Sequence, residues 1–256
     1  MGRYSTRIRA DSDGFRTAEL WSYDVRMTIT ERQAALFRKD RGAYGGAPAG
    51  DLALSLYPEV QLKDARLFHT NSGDINVPSG KLIACDPFVM ASEAIPFAME
   101  FPKGRFPVRL SIWENGVDQR VAFASVVFKN APPVAWEMLT LGKQSVATLK
   151  NDEIFGYGVD SGTGCFMAVE AQRGLSQLME SNDNWFEELA DEMDKTYRHT
   201  WSWLNKEFDG ANLVCFSSGL GDGFYASYAG RDEAGEICTV VTDFGVCGAK
   251  EFQRQP

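Results

Sequence analysis

The feature of this sequence that most constrains its fold is the segment over residues 217–245, which has the pattern of a β-hairpin. Residues 224–228 are rich in aromatic side chains and residues 237–242 in β-branched ones, as strands usually are. Residues 230–235 between them are mostly polar and contain two glycines, so they supply the turn. A glycine-rich stretch over 217–223 lets the chain turn tightly into the first strand.

A second hairpin is indicated near the middle of the chain. Residues 106–113 and 120–128 are joined by residues 114–119, in which Asn115-Gly116 is a strong turn signal. Residues 120–128 are apolar on both faces, which predicts a central strand that is covered on both sides. Two hairpins and few alternating helices favour antiparallel sheet over a doubly wound parallel one.

Two helices are predicted to interrupt the strands, a short one over 168–180 and a long amphipathic one over 184–204. The long helix has apolar residues at spacings of three or four, which form one stripe. The fold class is therefore predicted as α+β, mainly antiparallel β, with a sandwich-like core on which the long helix packs. The stripe consists of Trp185, Leu189, Met193, Tyr197, Trp201 and Leu204.

The domain prediction is a single β-rich domain over residues 51–256. Residues 1–50 are interpreted as an N-terminal extension, with an edge strand over 20–30 and a flexible glycine-rich loop over 42–50.

Charge and composition exclude several classes of function. The formal net charge of −9 and the pI near 4.9 argue against nucleic-acid binding, which needs a basic surface. Apolar runs are far shorter than the roughly 20 residues that a membrane helix requires, and no secretion signal is recognised. The five cysteines are odd in number and lack CxxC spacing, which favours a reduced protein without zinc. We expect a cytoplasmic protein without cofactor or metal, and its oligomeric state stays open.

The start of the long helix is strongly acidic. Acids in the first turns of a helix stabilise it, so a solvated face is one interpretation. The other is a surface that attracts a basic protein partner and accelerates association. The candidate partner-binding residues are Asp183, Glu187, Glu188, Asp191, Glu192 and Asp194.

Residues 158–166 contain the sharpest motif, Asp160-Ser161-Gly162. It matches one half of an aspartic protease site, but that chemistry requires two carboxylates that share a proton. The nearest second candidate, Asp243-Phe-Gly, lacks the hydroxyl, and no repeat supports a sugar-kinase or actin-like phosphate site. We therefore assign no catalytic residue, and a tight structural turn is the favoured interpretation.

An alternative function uses the same glycine-rich turns to bind a ligand. Turn amides can bind an anion, so the chain could be a small-ligand protein or an uncharacterised enzyme. The residues for this alternative are Asp160, Ser161, Thr163, Asp222, Asp232 and Asp243.

Several motifs together resemble one family. Residues 79–87, 106–111, 158–167, 221–225 and 240–244 are similar to the bacterial proteins catalogued as domain of unknown function 4241. The resemblance covers roughly residues 55–247 and implies no established reaction. The pattern of Gly-Asp-Gly, aromatic strand, turn and β-strand is also similar to the end of SMI1/KNR4-type immunity domains, which bind and neutralise toxins.

The sequence thus favours an interaction protein over an enzyme. Our functional hypothesis is a protein-binding module, in particular an immunity protein that neutralises a cognate bacterial toxin through its acidic surface. A candidate partner is a basic protein toxin.

Overall fold

The computed structural model describes residues 7–10, 16–19, 52–62, 64–89, 94–149 and 153–247. Strands β1 (Arg7–Ala10) and β2 (Arg16–Glu19) pair with each other as a two-stranded antiparallel sheet. The predicted edge strand over 20–30 and loop over 42–50 lie outside the described residues. The division at residue 50 stays a prediction.

Twelve further strands form two antiparallel sheets. Their bounds are β3 (Glu59–Gln61), β4 (Arg66–Val77), β5 (Leu82–Cys85), β6 (Gly104–Asn115), β7 (Asp118–Val127), β8 (Ala135–Met138), β9 (Tyr157–Val159), β10 (Thr163–Ala168), β11 (Trp203–Phe208), β12 (Ala211–Ser217), β13 (Gly223–Arg231) and β14 (Ile237–Asp243). The larger sheet has the order β3-β4-β6-β7-β14-β13-β8, and β9 pairs with the start of β13. The smaller sheet has the order β11-β12-β10-β5.

The two sheets pack face to face around the main core. On the smaller sheet, Phe166 and Phe216 point toward the larger sheet, and their rings meet edge to face. Because strand side chains alternate, their neighbours Met167 and Cys215 point the other way and join a second apolar cluster. The smaller sheet is thus buried on both faces.

Helices α1 (Val169–Ser181) and α2 (Trp185–Asp194) cover the other side of the smaller sheet. Leu175 of α1 and Leu189 and Met193 of α2 are buried there. Two 3₁₀ segments, η1 (Leu52–Leu56) and η2 (Val146–Thr148), complete the described elements. The layers therefore run from helices to the smaller sheet to the larger sheet.

The predicted fold class is confirmed, and both predicted hairpins form, as β6–β7 and β13–β14. Strand β7 lies between β6 and β14, as a strand apolar on both faces should. The predicted extent of the long helix, 184–204, is wrong, because α2 ends at Asp194 and residues from Trp203 form β11.

Helix α2 ends before the predicted residue because the following segment contacts residues that are distant in sequence. Trp201 is buried and its Nε1 donates to Gln119 Oε1 at 3.0 Å, which fixes the chain after the helix. His199 has a φ of 55°, which a helix does not allow. Trp203 then packs on the core between the sheets while Leu204 packs toward the helices, so the alternation is that of a strand.

Candidate functional site

The outer surface of α2 carries a row of exposed acidic side chains. Glu187, Asp191 and Asp194 follow one another at spacings of four and three residues, so they lie on one side of the helix. Asp183 lies two residues before the helix and is exposed too. We call these four residues the acidic stripe. No ion pair joins them to a cation among the described residues.

The other two predicted acids, Glu188 and Glu192, have a partner. Lys206 Nζ of β11 lies 3.1 Å from Glu188 Oε1 and 2.6 Å from Glu192 Oε1. Burial opposes the charge of Lys206, but its hydrogen bonds to Glu192 and Glu188 outweigh burial and raise the pKa of the ammonium. Glu188 and Glu192 therefore help to attach α2 to the sheet and share one cation.

Exposed aromatic rings flank the acidic stripe. Phe186 is 46% exposed, and its ring packs 4.8 Å from that of Phe88 and 5.8 Å from that of Trp185, between centroids. Beyond the other end of the helix, Tyr197 is 57% exposed. Aromatic rings at a surface supply large contact areas at low cost in conformational entropy, which suits a protein interface.

The two glycine-rich turns meet where the two sheets adjoin. Ser218 N donates to Gly162 O at 3.0 Å, and Gly162 N donates to Asp222 Oδ1 at 3.0 Å. Gly162 has a φ of 68°, which only glycine adopts readily. Asp160, Ser161 and Asp222 are thus brought together, as the alternative hypothesis requires.

A residue that the sequence analysis did not select, Asp86, holds this turn. Its buried carboxylate follows β5 and accepts the backbone N–H groups of Asp160 and Ser161 on Oδ2, at 2.9 and 2.8 Å. Its Oδ1 accepts the Ser161 hydroxyl at 2.8 Å and the Phe88 N–H at 2.9 Å. The only local signal is an acid placed directly after a fully apolar strand. Three of its four hydrogen bonds come from the turn, so Asp86 clamps the turn to β5.

The hydrogen bonds between the turn and Asp86 affect the alternative function, which is ligand binding at the turn. An anion site in this turn would need free backbone N–H groups, but those of Asp160, Ser161 and Gly162 already donate to Asp86 and Asp222. The turn is therefore satisfied by the chain's own carboxylates. Ligand binding at these turns stays a prediction.

The other residues of the alternative set do not join this cluster. Thr163 is buried in β10, opposite Ser217 of β12. Asp232 follows β13, whereas Asp222 precedes it, so about 30 Å of strand separates them. Asp232 caps its own turn and pairs with Lys129 at 2.6 Å. Asp243 is buried at the end of β14 and accepts the Gly245 N–H at 2.8 Å.

Three cysteines lie side by side in the smaller sheet. Cys165 pairs directly with Cys85 of β5 and with Cys215 of β12, and the Sγ atoms of Cys85 and Cys165 are 3.6 Å apart. Contact with Cys165 and burial raise the pKa of Cys85, and burial raises that of Cys215. In the described part of the chain, no group of three or more histidine, cysteine or acidic side chains has the arrangement of a metal site.

Comparison with protein families identifies a match over residues 75–242 to the family described as "Protein of unknown function (DUF4241)". This match covers 168 of the 256 residues. The chain belongs to the DUF4241 family. The DUF4241 match includes the smaller sheet, both helices and both glycine-rich turns, and it confirms the resemblance to this family, whereas the similarity to SMI1/KNR4-type domains stays a prediction. Comparison with curated proteins and with solved structures gave no match. Among the described helices, none is both long and apolar enough to cross a membrane.

Proposed function

We propose that this DUF4241 protein is a protein-binding module whose acidic stripe docks a basic protein. The observation that carries the proposal is a contrast within one helix. Glu188 and Glu192 share the cation Lys206, whereas the four carboxylates of the acidic stripe face solvent and pair with no cation in the described part of the chain. Four such carboxylates over about 16 Å of chain create a concentrated negative field.

The surroundings of the stripe suit an interface. Phe186 and Tyr197 add exposed aromatic area at its two ends, and residues of this kind act as anchors in protein complexes. The net charge of −9 extends the attraction beyond the stripe and favours rapid association with a cationic partner. Such association weakens as salt rises, since exposed charges are screened.

The specific form of the proposal is an immunity protein that neutralises a cognate toxin. Toxins that act on nucleic acids are frequently basic, so an acidic protein can occupy their active cleft. The pattern similarity to SMI1/KNR4-type immunity domains motivates this form, because those domains bind and neutralise toxins.

The test uses the product of the gene beside the one that encodes this chain. The two proteins are produced together, and cell growth and complex formation are measured. The variant E187K/D191K/D194K should slow association at least tenfold and abolish growth protection, because it reverses the field of the stripe.

A matched control changes the same number of charges elsewhere. Asp64, Glu100 and Glu233 are exposed and lie away from α2, so D64K/E100K/E233K should bind and protect as the unmodified chain does. If both triple variants bind equally well, the stripe is not the interface. A neighbouring gene for a metabolic enzyme would contradict the immunity role.

A further inference from the structure

The face of the larger sheet that is turned away from the smaller sheet carries buried polar atoms without partners. Five buried side-chain atoms among the described residues form no hydrogen bond, and four of them lie on this face: His69 Nε2, Ser111 Oγ, Ser125 Oγ and, two strands beyond Ser125, Tyr228 Oη. Ser111 is 0% and Ser125 2% exposed. Buried polar side chains are normally paired, so unpaired ones in the same region need an explanation.

The strand register places these atoms next to one another. His69 of β4 is directly opposite Ser111 of β6, and Arg109 of β6 is directly opposite Ser125 of β7. Directly opposed side chains have Cβ atoms about 5 Å apart, and Arg109 and Ser111 are neighbours on one face of their strand. We call His69, Arg109, Ser111 and Ser125 the polar cluster. His69 and Ser125 are two strands and two residues apart, roughly 12 Å between Cβ atoms, so a ligand that contacts all four members lies over Arg109 and Ser111.

The alternation of the strands shows which face this is. Leu110 and Ala124, between the cluster residues, share a face with Thr242, which contacts Tyr157 beside Gly164 of the smaller sheet. The cluster therefore points to the opposite side, where η1 contacts β7 and β14 and where the His69 ring interacts with the backbone of Ser55. This is the side of the molecule remote from α2.

The cluster has the character of an anion site. The Arg109 side chain is half-buried, and no hydrogen bond or ion pair joins it to the described residues. A guanidinium offers five donors and binds carboxylates and phosphates in a forked geometry. The two serine hydroxyls can donate alongside it. A ligand rich in acceptor oxygens can accept hydrogen bonds from both the half-buried guanidinium and the unpaired hydroxyls.

His69 adds a second requirement. Burial, together with the charge of Arg109, lowers the pKa of its ring to about 4, so the ring is neutral near pH 7. We assign the contact with the Ser55 backbone to Nδ1, because Nε2 is buried and forms no hydrogen bond. With the ring proton on Nδ1, Nε2 is an acceptor that needs an O–H or N–H donor.

We propose that the polar cluster binds a small oxyanion that also carries a hydroxyl, such as hydrogen phosphate or a hydroxycarboxylate. The oxyanion accepts hydrogen bonds from the Arg109 guanidinium and from the hydroxyls of Ser111 and Ser125. The hydroxyl of the ligand donates to His69 Nε2. One ligand then satisfies all four members.

Inorganic phosphate and sulfate provide the test, because near pH 7 hydrogen phosphate has an O–H donor and sulfate has none. The full chain is titrated with each anion by calorimetry at constant ionic strength, with sodium chloride as the reference. Phosphate should bind saturably and at least tenfold more tightly than sulfate, and R109Q should weaken phosphate binding at least tenfold. Equal binding of phosphate and sulfate, or no binding of phosphate, overturns the proposal.

Two further variants separate binding from folding. S111A removes a hydroxyl that has no partner in the free protein, so its melting temperature without anion should not fall, yet its phosphate affinity should. R105Q is the matched control for R109Q, since Arg105 lies on the same strand, is exposed and pairs with Glu207 at 3.1 Å. R105Q should bind phosphate normally. If S111A binds phosphate as the unmodified chain does, the cluster is not the site.

Discussion

Replacement of Asp86 by asparagine tests whether a single carboxylate holds the glycine-rich turn. D86N keeps the shape of the side chain but converts one acceptor oxygen into an NH₂ group, which donates. In the better orientation of the amide, its oxygen still accepts the hydrogen bonds from the N–H groups of Asp160 and Ser161. The Phe88 N–H, now 2.9 Å from a donor, loses its acceptor.

The expected decrease in the free energy of unfolding follows from the hydrogen bonds that D86N weakens or loses. A hydrogen bond to a charged group contributes about 1.5–3 kcal/mol, and an unpaired buried donor costs about 1–3 kcal/mol. The loss of a buried charge offsets part of this sum, so we expect D86N to lower the free energy of unfolding by about 3 kcal/mol. For a chain of this size, that corresponds to a melting temperature roughly 6–12 °C lower.

The assay is urea unfolding followed by the fluorescence of the six tryptophans. D222N is the matched control, because the exposed Asp222 makes one bond to the turn, at 3.0 Å, and its amide can keep that bond. It should cost less than about 1 kcal/mol. If D86N unfolds at the same urea concentration as the unmodified chain, or if D222N costs as much as D86N, the clamp argument is refuted.

Three more predictions concern stability and reactivity. Burial lowers the pKa of His69 from 6.5 to about 4. Between pH 7 and 4 the unfolded chain therefore binds a proton at His69 more readily than the folded protein does. The free energy of unfolding, measured with urea, should fall by about 2 kcal/mol over this range, and H69Q should not show this loss. G174A should lower the melting temperature by a few degrees, because the added Cβ would lie 2.5 Å from Phe208 Cβ. This clash should outweigh the helix propensity of alanine, which favours the helix by about 1 kcal/mol. An unchanged or higher melting temperature contradicts the prediction. Cys85 and Cys215 should react with a disulfide reagent at least tenfold more slowly in the native protein than in urea, since contact with Cys165 and burial disfavour the Cys85 thiolate and burial disfavours that of Cys215. Similar rates would show that the sheet opens freely.

The elements that were predicted correctly are those whose signals lie in residues close together in the sequence. Asn115-Gly116 gives a turn that the β6–β7 hairpin requires, and the apolar faces of residues 120–128 place β7 inside the sheet. The helix end was wrong because Trp201 and Leu204 match helical spacing by coincidence. Their true environment depends on Gln119 and on β12, both distant in sequence.

The candidate sites show the same limit. The six candidate acids could be named from the sequence, but which of them form an ion pair depends on Lys206, and only the pairing of β11 brings Lys206 to α2. Asp86 lies more than 70 residues from the turn that it holds. In the sequence, Ser111 and Ser125 are ordinary strand residues, and register alone places them beside Arg109.

The position of β14 in the larger sheet affects how the chain is made. β14 is the last described strand to leave the ribosome, yet it lies in the middle of its sheet, between β7 and β13. Until residues 237–243 emerge, β7 presents an open edge that can pair with other chains, and β13 has no partner on that side. A nascent chain that stalls before residue 237 therefore carries two unjoined parts of one sheet and an open edge at β7.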